Sequence, residues 1–287
     1  MRVLLTGSTG FIGARVVAAL AAAGHTSILT SRAGSPTTTS LELTDPRTIA
    51  PALAATRPDA VIHSAAMRDL AQCEREPALA RLVNLESTRL LAHACHAQGI
   101  TLVFVSTDQV FDGIAGNYSE SAHTNPVNVY GETKARGEEA VLAAGGRVAR
   151  VALTLGHSKE GTRSPNEHVV NALRAGQRCT LFTNEYRTPI HVDDVANALV
   201  EMLTIDTPIL HLGGPDRVNR LELGLAIARA HRLSTTLCTP ATSIQSPTLR
   251  RAPDTSLDTT LAQKVLAVPP RRLDSAIETL ARTRPVR

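Results

Sequence analysis

Strand-like and helix-like segments alternate along the first half of this 287-residue sequence, and the alternation predicts an α/β fold with a doubly wound parallel sheet. A run of β-branched residues and leucines over residues 2–6 is followed by a glycine-rich loop and an alanine-rich helix to about residue 23. After about residue 154 the alternation is less regular, which indicates a smaller lobe over the carboxyl ends of the strands. We therefore expect a Rossmann-type nucleotide-binding domain (residues 1–153 plus 191–212) and a smaller C-terminal substrate-binding lobe (residues 154–190 plus 213–287).

Local start and stop signals define the remaining elements. Apolar or β-branched runs predict strands over residues 26–31, 59–63, 100–106, 147–153 and 208–212. Asp45 and Pro46 supply a cap and a first-turn proline for one helix, and glycines at positions 99 and 145–146 end predicted helices over 77–98 and 128–144. Further on, the pattern predicts short strands near 180 and 189 and helices over 166–174, 192–203, 220–231, 259–265 and 271–282.

The composition excludes several classes of protein. Hydrophobic residues make up 43% of the chain and charged residues 20%, which is typical of a globular protein and not of a disordered one. No apolar run approaches the roughly 18 residues of a membrane span, and the net charge of +4 is dispersed, so we expect neither a membrane nor a nucleic-acid partner. The four cysteines are widely spaced, which predicts neither a zinc site nor a disulfide framework and favours a cytoplasmic location.

A glycine-rich loop between the first strand and the first helix predicts a dinucleotide-binding site. Glycines at positions 7, 10 and 13 allow a tight turn and a close approach of the backbone to a pyrophosphate. The helix N-terminus that follows offers N–H donors and a positive dipole to the same group. The cofactor contacts predicted from this loop are Gly7, Thr9, Gly10, Phe11, Ile12 and Gly13.

The end of the second predicted strand bears on the choice of cofactor. An acidic residue there would bind the ribose 2′-hydroxyl of NAD, but the sequence has Ser31 and Arg32, which suit a 2′-phosphate. We therefore expect NADPH to be favoured over NADH, with an ordinary exposed loop arginine as the alternative interpretation of Arg32. Glu42, followed by Leu43, stands where a carboxylate can meet the adenine amine, and both are predicted cofactor contacts.

Tyr130 and Lys134 are one helical turn apart, and this spacing predicts an acid–base pair. A phenol has a pKa near 10, and a nearby ammonium is expected to lower that pKa toward the range useful for interconverting a carbonyl and an alcohol. Thr107, at the end of a predicted strand, is expected to hydrogen-bond the substrate oxygen beside Tyr130. Ser106 is the competing candidate for that role, and Asp108 is placed either to act with them or to cap the next turn.

Several segments together carry a family resemblance. They are residues 7–13 (GSTGFIG), 57–66 (RPDAVIHSAA), 83–84 (VN), 106–113 (STDQVFDG), 118–120 (YSE), 128–134 (NVYGETK), 137–138 (GE), 188–196 (TPIHVDDVA) and 257–258 (LD). With these segments the sequence resembles the extended short-chain dehydrogenase/reductases, and within them the dTDP-4-dehydrorhamnose reductase branch. The resemblance extends nearly from end to end.

The resemblance implies a ketoreductase with Thr107, Tyr130 and Lys134 as its catalytic triad. In that family the tyrosine donates a proton while the nicotinamide delivers a hydride to a keto carbon, and the lysine also binds the nicotinamide ribose. The implied substrate is a nucleotide-linked 4-keto-6-deoxysugar, and a homodimer is the expected assembly. Further implied or predicted contacts are Ala65, Ala66 and Asn84 for the cofactor and Asp108, Gln109, Tyr186 and Arg187 for the substrate.

The sequence departs from that branch around the predicted substrate site. Residues 150–156 (RVALTLG) contain no aromatic side chain, Gln109 occupies a usually aromatic position, and residues 184–190 read NEYRTPI. The alternatives are therefore a reductase of a non-sugar ketone in secondary metabolism, an NAD-dependent sugar-nucleotide epimerase, and a non-catalytic NADP-binding regulatory protein. A dehydratase is disfavoured because an amide at position 109 transfers no protons at neutral pH.

Overall fold

The computed structural model describes residues 1–243 and 250–283, and strands and helices alternate through these ranges. The strands are β1 (Arg2–Thr6), β2 (Thr26–Ser31), β3 (Thr39–Ser40), β4 (Ala60–His63), β5 (Thr101–Thr107), β6 (Arg147–Val151), β7 (Thr154–Leu155), β8 (Cys179–Phe182), β9 (Tyr186–Arg187), β10 (Ile190–His191), β11 (Ile209–Leu212), β12 (Val218–Asn219) and β13 (Cys238–Ala241). The α-helices are α1 (Phe11–Ala22), α2 (Ile49–Thr56), α3 (Leu70–Arg75), α4 (Pro77–Arg81), α5 (Ser87–Ala97), α6 (Val129–Ala143), α7 (Pro165–Arg174), α8 (Val192–Glu201), α9 (Arg220–Ala230), α10 (Thr260–Val265) and α11 (Leu273–Arg282).

Seven of these strands form one parallel sheet in the order β11-β6-β5-β4-β1-β2-β3. The strand order reverses at β1, so β2 and β3 lie on one side of it and β4 to β6 on the other. In such a sheet the crevice at the carboxyl ends beside the reversal is the usual place for a ligand. The predicted doubly wound α/β fold is confirmed.

The core consists of two layers of aliphatic side chains, one on each face of the sheet. Successive residues of a strand point to opposite faces, so Val3 and Leu5 pack on one face with α1 and α8, while Leu4 packs on the other with α2, α5 and α6. The central strands β1, β4 and β5 are almost fully buried, as both faces are covered by helices. The sheet therefore presents rigid strand ends at its carboxyl edge.

A third apolar cluster lies in the C-terminal part of the chain, where α7, α9 and α11 pack with β8 and β13. Strand β8 pairs with β13, and β9 pairs with β12. No helix among residues 1–243 and 250–283 is long and apolar enough to cross a membrane. The division of the chain into residues 1–153 plus 191–212 and residues 154–190 plus 213–287 stays a prediction.

The structure contains local features that the sequence patterns did not indicate. The predicted helix over 77–98 includes a π-helical turn, Leu82–Glu86, between α4 and α5. Helix α3 and the short strands β3, β12 and β13 were missed, because each has six residues or fewer and depends on distant partners. Asp45–Pro46 begins a 3₁₀ turn before α2 and does not cap α2 directly.

Candidate active site

The glycine loop after β1 lies tightly against β4 and α1. Gly7 has a positive φ of 72°, and a Cβ there would come within 2.8 Å of the backbone nitrogen of Ala65. A Cβ on Gly13 would overlap the carbonyl oxygen of Gly7, while the N–H of Gly10 donates to that oxygen at 2.9 Å. Only glycine fits these positions, so the loop keeps the cradle that a dinucleotide pyrophosphate requires.

A cavity of about 1520 Å³ extends from this loop across the carboxyl ends of the strands. It is large enough for a dinucleotide together with a further small molecule. The predicted site residues that line it are Gly7, Thr9, Gly10, Phe11, Ile12, Gly13, Ser31, Arg32, Glu42, Leu43, Ala65, Ala66, Thr107, Asp108, Gln109, Tyr130 and Arg187. Asn84, Lys134 and Tyr186 are not among its lining residues.

The end of β2 carries a hydroxyl-rich loop at one end of the cavity. The Ser31 hydroxyl is hydrogen-bonded to that of Thr38 at 2.7 Å, and Arg32 lies beside it on the cavity wall. Glu42 accepts hydrogen bonds from the N–H and the hydroxyl of Thr44, which, with the charge of Arg32, lower the pKa of its carboxyl. Arg32 therefore has hydroxyl groups and an ionised carboxylate as neighbours.

Helix α6 brings Tyr130 beside the end of β5. Asn128 caps the helix by accepting from the N–H of Gly131 at 2.8 Å, and a Cβ on Gly131 would overlap the carbonyl oxygen of Gln109. This close approach places the Tyr130 phenol beside the Thr107 hydroxyl, which acts to lower the pKa of the phenol. The Asn128 cap and Gly131 thus bring the start of α6 against the end of β5, although these two segments are more than twenty residues apart in sequence.

The pKa of Tyr130 is higher than the sequence led us to expect. Burial, together with the charges of Asp108 and Cys73, raises the pKa of the phenol to about 12, against smaller opposing effects of Thr107 and Arg68. The expectation of a lowered phenol pKa in the protein alone was wrong, since desolvation outweighs the nearby positive charge. The phenol is therefore protonated at neutral pH, which is the form that a proton donor needs.

Lys134 lies in the interior, one turn further along α6. Its side chain is only 1% exposed, and its ammonium lies over the ring of Phe104 at 3.7 Å from the centroid. Burial lowers the pKa of the ammonium to about 7, and the Glu138 carboxylate opposes this shift. The i, i+4 spacing of Tyr130 and Lys134 on one helix is confirmed. Tyr130 lines the cavity, whereas Lys134 is buried outside the cavity lining.

Glu138 and Asn84 connect α6 to neighbouring segments of the chain. Glu138 accepts from the Ser106 hydroxyl at 2.5 Å and pairs with Arg150 at 2.8 Å. Asn84, on the π-helical turn, is bonded through its side chain to the backbone of Met67 and, at 3.1 Å, to Thr133 of α6. The Ser106 hydroxyl is therefore occupied by its hydrogen bond to Glu138. Of the two hydroxyls at the end of β5, the one that lies beside Tyr130 is that of Thr107.

The four predicted substrate contacts occupy different environments, and Arg187 lies with its Nε 3.7 Å from the Asp108 carboxylate. The Asp108 carboxylate accepts from Thr107, Gln109 and Thr255, so it orients the residues around it. Gln109 lines the cavity next to it. Tyr186 lies outside the cavity lining, with the Arg217 guanidinium 3.9 Å above its ring, and this leaves it poorly placed to stack on a ligand.

Sequence patterns missed several charged residues of the cavity wall. Arg68, Arg163, His168 and Arg220 line it together with the predicted residues. Arg220 begins α9, whose Asn219 and Glu222 form a capping box that the sequence displays, but nothing local shows that this helix faces the cavity. Among residues 1–243 and 250–283, no group of three or more His, Cys, Asp or Glu side chains is arranged to hold a metal ion.

The doubly wound sheet, the glycine loop and the Thr107–Tyr130–Lys134 constellation define the class as extended short-chain dehydrogenase/reductase. Within that class, the model of the RmlD substrate binding domain matches residues 1–284, and the chain belongs to this family.

The chain is also similar to curated proteins and to a solved structure. The chain is 30% identical over 251 residues to methionine adenosyltransferase 2 subunit beta of Xenopus laevis, covering 84% of this chain and 75% of the relative. It is 40% identical over 142 residues to a dTDP-4-dehydrorhamnose reductase of Streptomyces griseus, covering 49% of this chain and 45% of the relative. The crystal structure of a hypothetical dTDP-4-dehydrorhamnose reductase from Sulfolobus tokodaii superposes with a TM-score of 0.86 at 30% identity, covering 96% of this chain and 98% of that one.

Proposed function

We propose that this protein is an NADPH-dependent ketoreductase whose substrate is a nucleotide-linked 4-keto-6-deoxysugar. The observation that carries the proposal is the position of the Tyr130 phenol beside Thr107 in the wall of the cavity that begins at the glycine loop. The similarity to a dTDP-4-dehydrorhamnose reductase supports the substrate class. The homodimer and the cytoplasmic location predicted from the sequence are kept as proposals with it.

In this proposal the chain's own residues position the carbonyl and supply its proton. The cofactor, when bound, would provide the hydride. The Thr107 hydroxyl accepts from the N–H of Gln109 at 3.2 Å and donates to Asp108 at 3.2 Å. When the substrate binds, this hydroxyl would turn from Asp108 to donate to the carbonyl oxygen and hold it against the phenol of Tyr130. Tyr130 then donates its proton to that oxygen, and the nearby Arg68 guanidinium favours the phenolate that remains.

The residues around the ribose end support NADPH over NADH. The Ser31 hydroxyl and the Arg32 guanidinium offer hydrogen bonds and positive charge to a 2′-phosphate. Glu42, whose carboxylate is ionised near Arg32, keeps one oxygen occupied by Thr44 and has the other for the adenine amine. Gly7, Gly10 and Gly13 would hold the pyrophosphate. Lys134 is buried over Phe104 outside the cavity lining, so its side chain would have to turn toward the cavity to bind the nicotinamide ribose.

A non-catalytic regulatory subunit is the second candidate. It is favoured by one observation, the similarity over 84% of this chain to a protein named as a subunit of methionine adenosyltransferase. The two candidates differ in turnover, since a regulatory subunit binds the dinucleotide without consuming it. The chain contains Thr107, Tyr130 and Lys134, the catalytic triad that the family resemblance implies, and this supports the reductase function over the regulatory one.

A substrate screen with the purified protein separates the candidates. NADPH loss is followed with nucleotide-linked 4-keto-6-deoxysugars and with simple ketones, using the Tyr130→Phe variant as the matched inactive control. Turnover with the sugar nucleotides that is lost in the variant supports the proposal. NADPH binding without turnover of any keto compound would support the regulatory subunit, and turnover of simple ketones alone would replace the sugar-nucleotide substrate.

A further inference from the structure

We propose that Thr255 is a positioning residue of the reaction, which holds the Asp108 carboxylate so that the Thr107 hydroxyl can turn from it to the substrate carbonyl. The inference rests on the proposed reductase function and adds to it a residue that is not among those lining the cavity. No motif of the sequence singled out Thr255, which is 147 residues from Asp108 along the chain.

The Asp108 carboxylate is buried, and its two oxygens have different partners. Oδ1 accepts from the Thr107 hydroxyl and from the side-chain amide of Gln109, each at 3.2 Å. Oδ2 accepts from the Thr255 hydroxyl at 2.8 Å and lies 3.7 Å from Nε of Arg187. The hydrogen bond from Thr255 is therefore shorter than either of those on Oδ1, and it uses the oxygen that Thr107 does not.

The lengths of these bonds bear on what the Thr107 hydroxyl can do. A hydroxyl that donates to a carboxylate ordinarily lies about 2.5–2.7 Å from it, so the bond of 3.2 Å from Thr107 to Asp108 is weak. A hydroxyl in a weak bond turns to a new acceptor at little cost. Without Thr255, the buried carboxylate would lack a hydrogen bond on Oδ2 and would hold the Thr107 proton more tightly. By supplying that bond, Thr255 leaves the Thr107 hydroxyl able to donate to a carbonyl oxygen.

The chain around Thr255 is held from two directions. Its side chain is fully buried. The N–H of Tyr186 in β9 donates to the carbonyl oxygen of Pro253 at 2.7 Å, and the N–H of Tyr118 donates to that of Ser256 at 2.9 Å. Thr255 therefore presents its hydroxyl at a fixed point, which is what a group that positions another side chain requires.

Ser256 provides a matched comparison for a purely structural role. Its side chain is also fully buried, and its hydroxyl donates to Asp254 and accepts from the N–H of Asn117, each at 2.7 Å. These two bonds hold the same segment of chain without contacting Asp108. If Thr255 served only to hold that segment, loss of either hydroxyl would have the same effect on turnover.

Steady-state kinetics of wild type, Thr255→Val, Thr255→Ser and the control Ser256→Ala test the inference. NADPH loss is followed with a thymidine-diphosphate-linked 4-keto-6-deoxyglucose, and kcat and KM are determined separately. Valine keeps the shape of threonine and removes the hydroxyl, whereas serine keeps the hydroxyl. Thermal unfolding and NADPH affinity verify that each variant is folded, and Thr255→Ala replaces Thr255→Val if the valine variant does not fold.

We expect Thr255→Val to lower kcat about 10- to 100-fold, as loss of a hydrogen bond to a charged group predicts, with KM and NADPH affinity nearly unchanged. The effect falls on kcat because the Thr107 hydroxyl is needed most when negative charge develops on the carbonyl oxygen. Thr255→Ser should keep most of the wild-type turnover. Ser256→Ala should lower the unfolding temperature without a comparable loss of kcat.

Two kinds of failure are distinguishable in this experiment. A wild-type kcat in Thr255→Val, or equal losses of kcat in Thr255→Val and Ser256→Ala, would overturn the role of Thr255 and leave the reductase function intact. The same conclusion follows if Thr255→Ser loses as much turnover as Thr255→Val. If wild type reduces no keto compound, the reductase proposal itself fails, and the role of Thr255 fails with it.

Discussion

The ammonium of Lys134 lies 3.7 Å from the centroid of the Phe104 ring, and the imidazole of His63 is stacked against the same ring at a centroid distance of 5.6 Å. Burial and the charge of Lys134 lower the pKa of His63 to about 3, so the imidazole is neutral. It bridges the hydroxyls of Thr6 and Thr88 at 2.7 and 3.1 Å. The ammonium of Lys134 on α6 thus lies against an aromatic face, and the charge of the buried Glu138 carboxylate attracts it.

This arrangement predicts that Lys134 titrates near neutrality. The chain contains only three lysines, so protein labelled with ¹³C at the lysine ε-carbons gives three resonances. One of them should titrate with a pKa of about 7, because desolvation disfavours the charged form. The Lys134→Arg variant identifies the signal, with those of Lys159 and Lys264 as internal references. If every signal keeps the shift of a charged ammonium up to about pH 9, Lys134 is charged at neutral pH.

The same burial predicts a pH dependence of stability. The pKa of Lys134 is about 7 in the folded chain and near its ordinary 10.5 in the unfolded chain, so the unfolded state binds more protons between these values. The unfolding free energy of wild type should therefore rise with pH across this window, by at most about 1.4 kcal/mol per pH unit from this group. Urea unfolding of wild type and Lys134→Met at several pH values measures the difference. Parallel pH profiles for the two proteins would contradict it.

We expect Glu138 on α6 to contribute to the stability of the fold. Replacing it with glutamine leaves Arg150, which is 3% exposed, without its bidentate partner, and an uncompensated buried charge costs about 3–5 kcal/mol. Urea unfolding should show this loss for Glu138→Gln. The neighbouring Glu139 is exposed, so Glu139→Gln should stay within about 0.5 kcal/mol of wild type. Equal stabilities of the two variants would remove Glu138 from this role.

Tyr130→Phe tests the proton donor. The substitution removes the phenolic hydroxyl and keeps the ring, so turnover should fall about 10²- to 10⁴-fold while NADPH affinity, measured by fluorescence, stays nearly unchanged. Because the pKa of Tyr130 is about 12, the wild-type rate should show no basic limb from this group below about pH 10. Wild-type turnover in the variant would assign the proton to another group.

Arg32→Gln tests the preference for NADPH. Loss of a guanidinium facing a phosphate should weaken NADPH about 10-fold or more and leave NADH affinity unchanged, since only NADPH carries the 2′-phosphate. Arg81→Gln, at an exposed position on α4, serves as the charge-matched control. Equal effects on the two cofactors would show that Arg32 is an ordinary loop residue.

Local sequence signals were sufficient for much of this protein. The alternation of strands and helices predicted the doubly wound sheet, and the glycine triplet marked the dinucleotide loop, in which Gly7 and Gly13 leave no room for a Cβ. The spacing of Tyr130 and Lys134 placed both on α6 because helical geometry is set by near neighbours. These properties depend on residues only a few positions apart.

Only the tertiary structure decided how those residues are charged and paired. The burial that raises the pKa of Tyr130 and lowers that of Lys134 comes from side chains of β4, β5 and α3, which are distant in sequence. Likewise, the acceptors that engage Arg187 belong partly to residues 252–253. Arg220 reaches the cavity only because α9 packs with β8, β12 and β13. Desolvation and long-range charge depend on the packed fold, and no local pattern contains them.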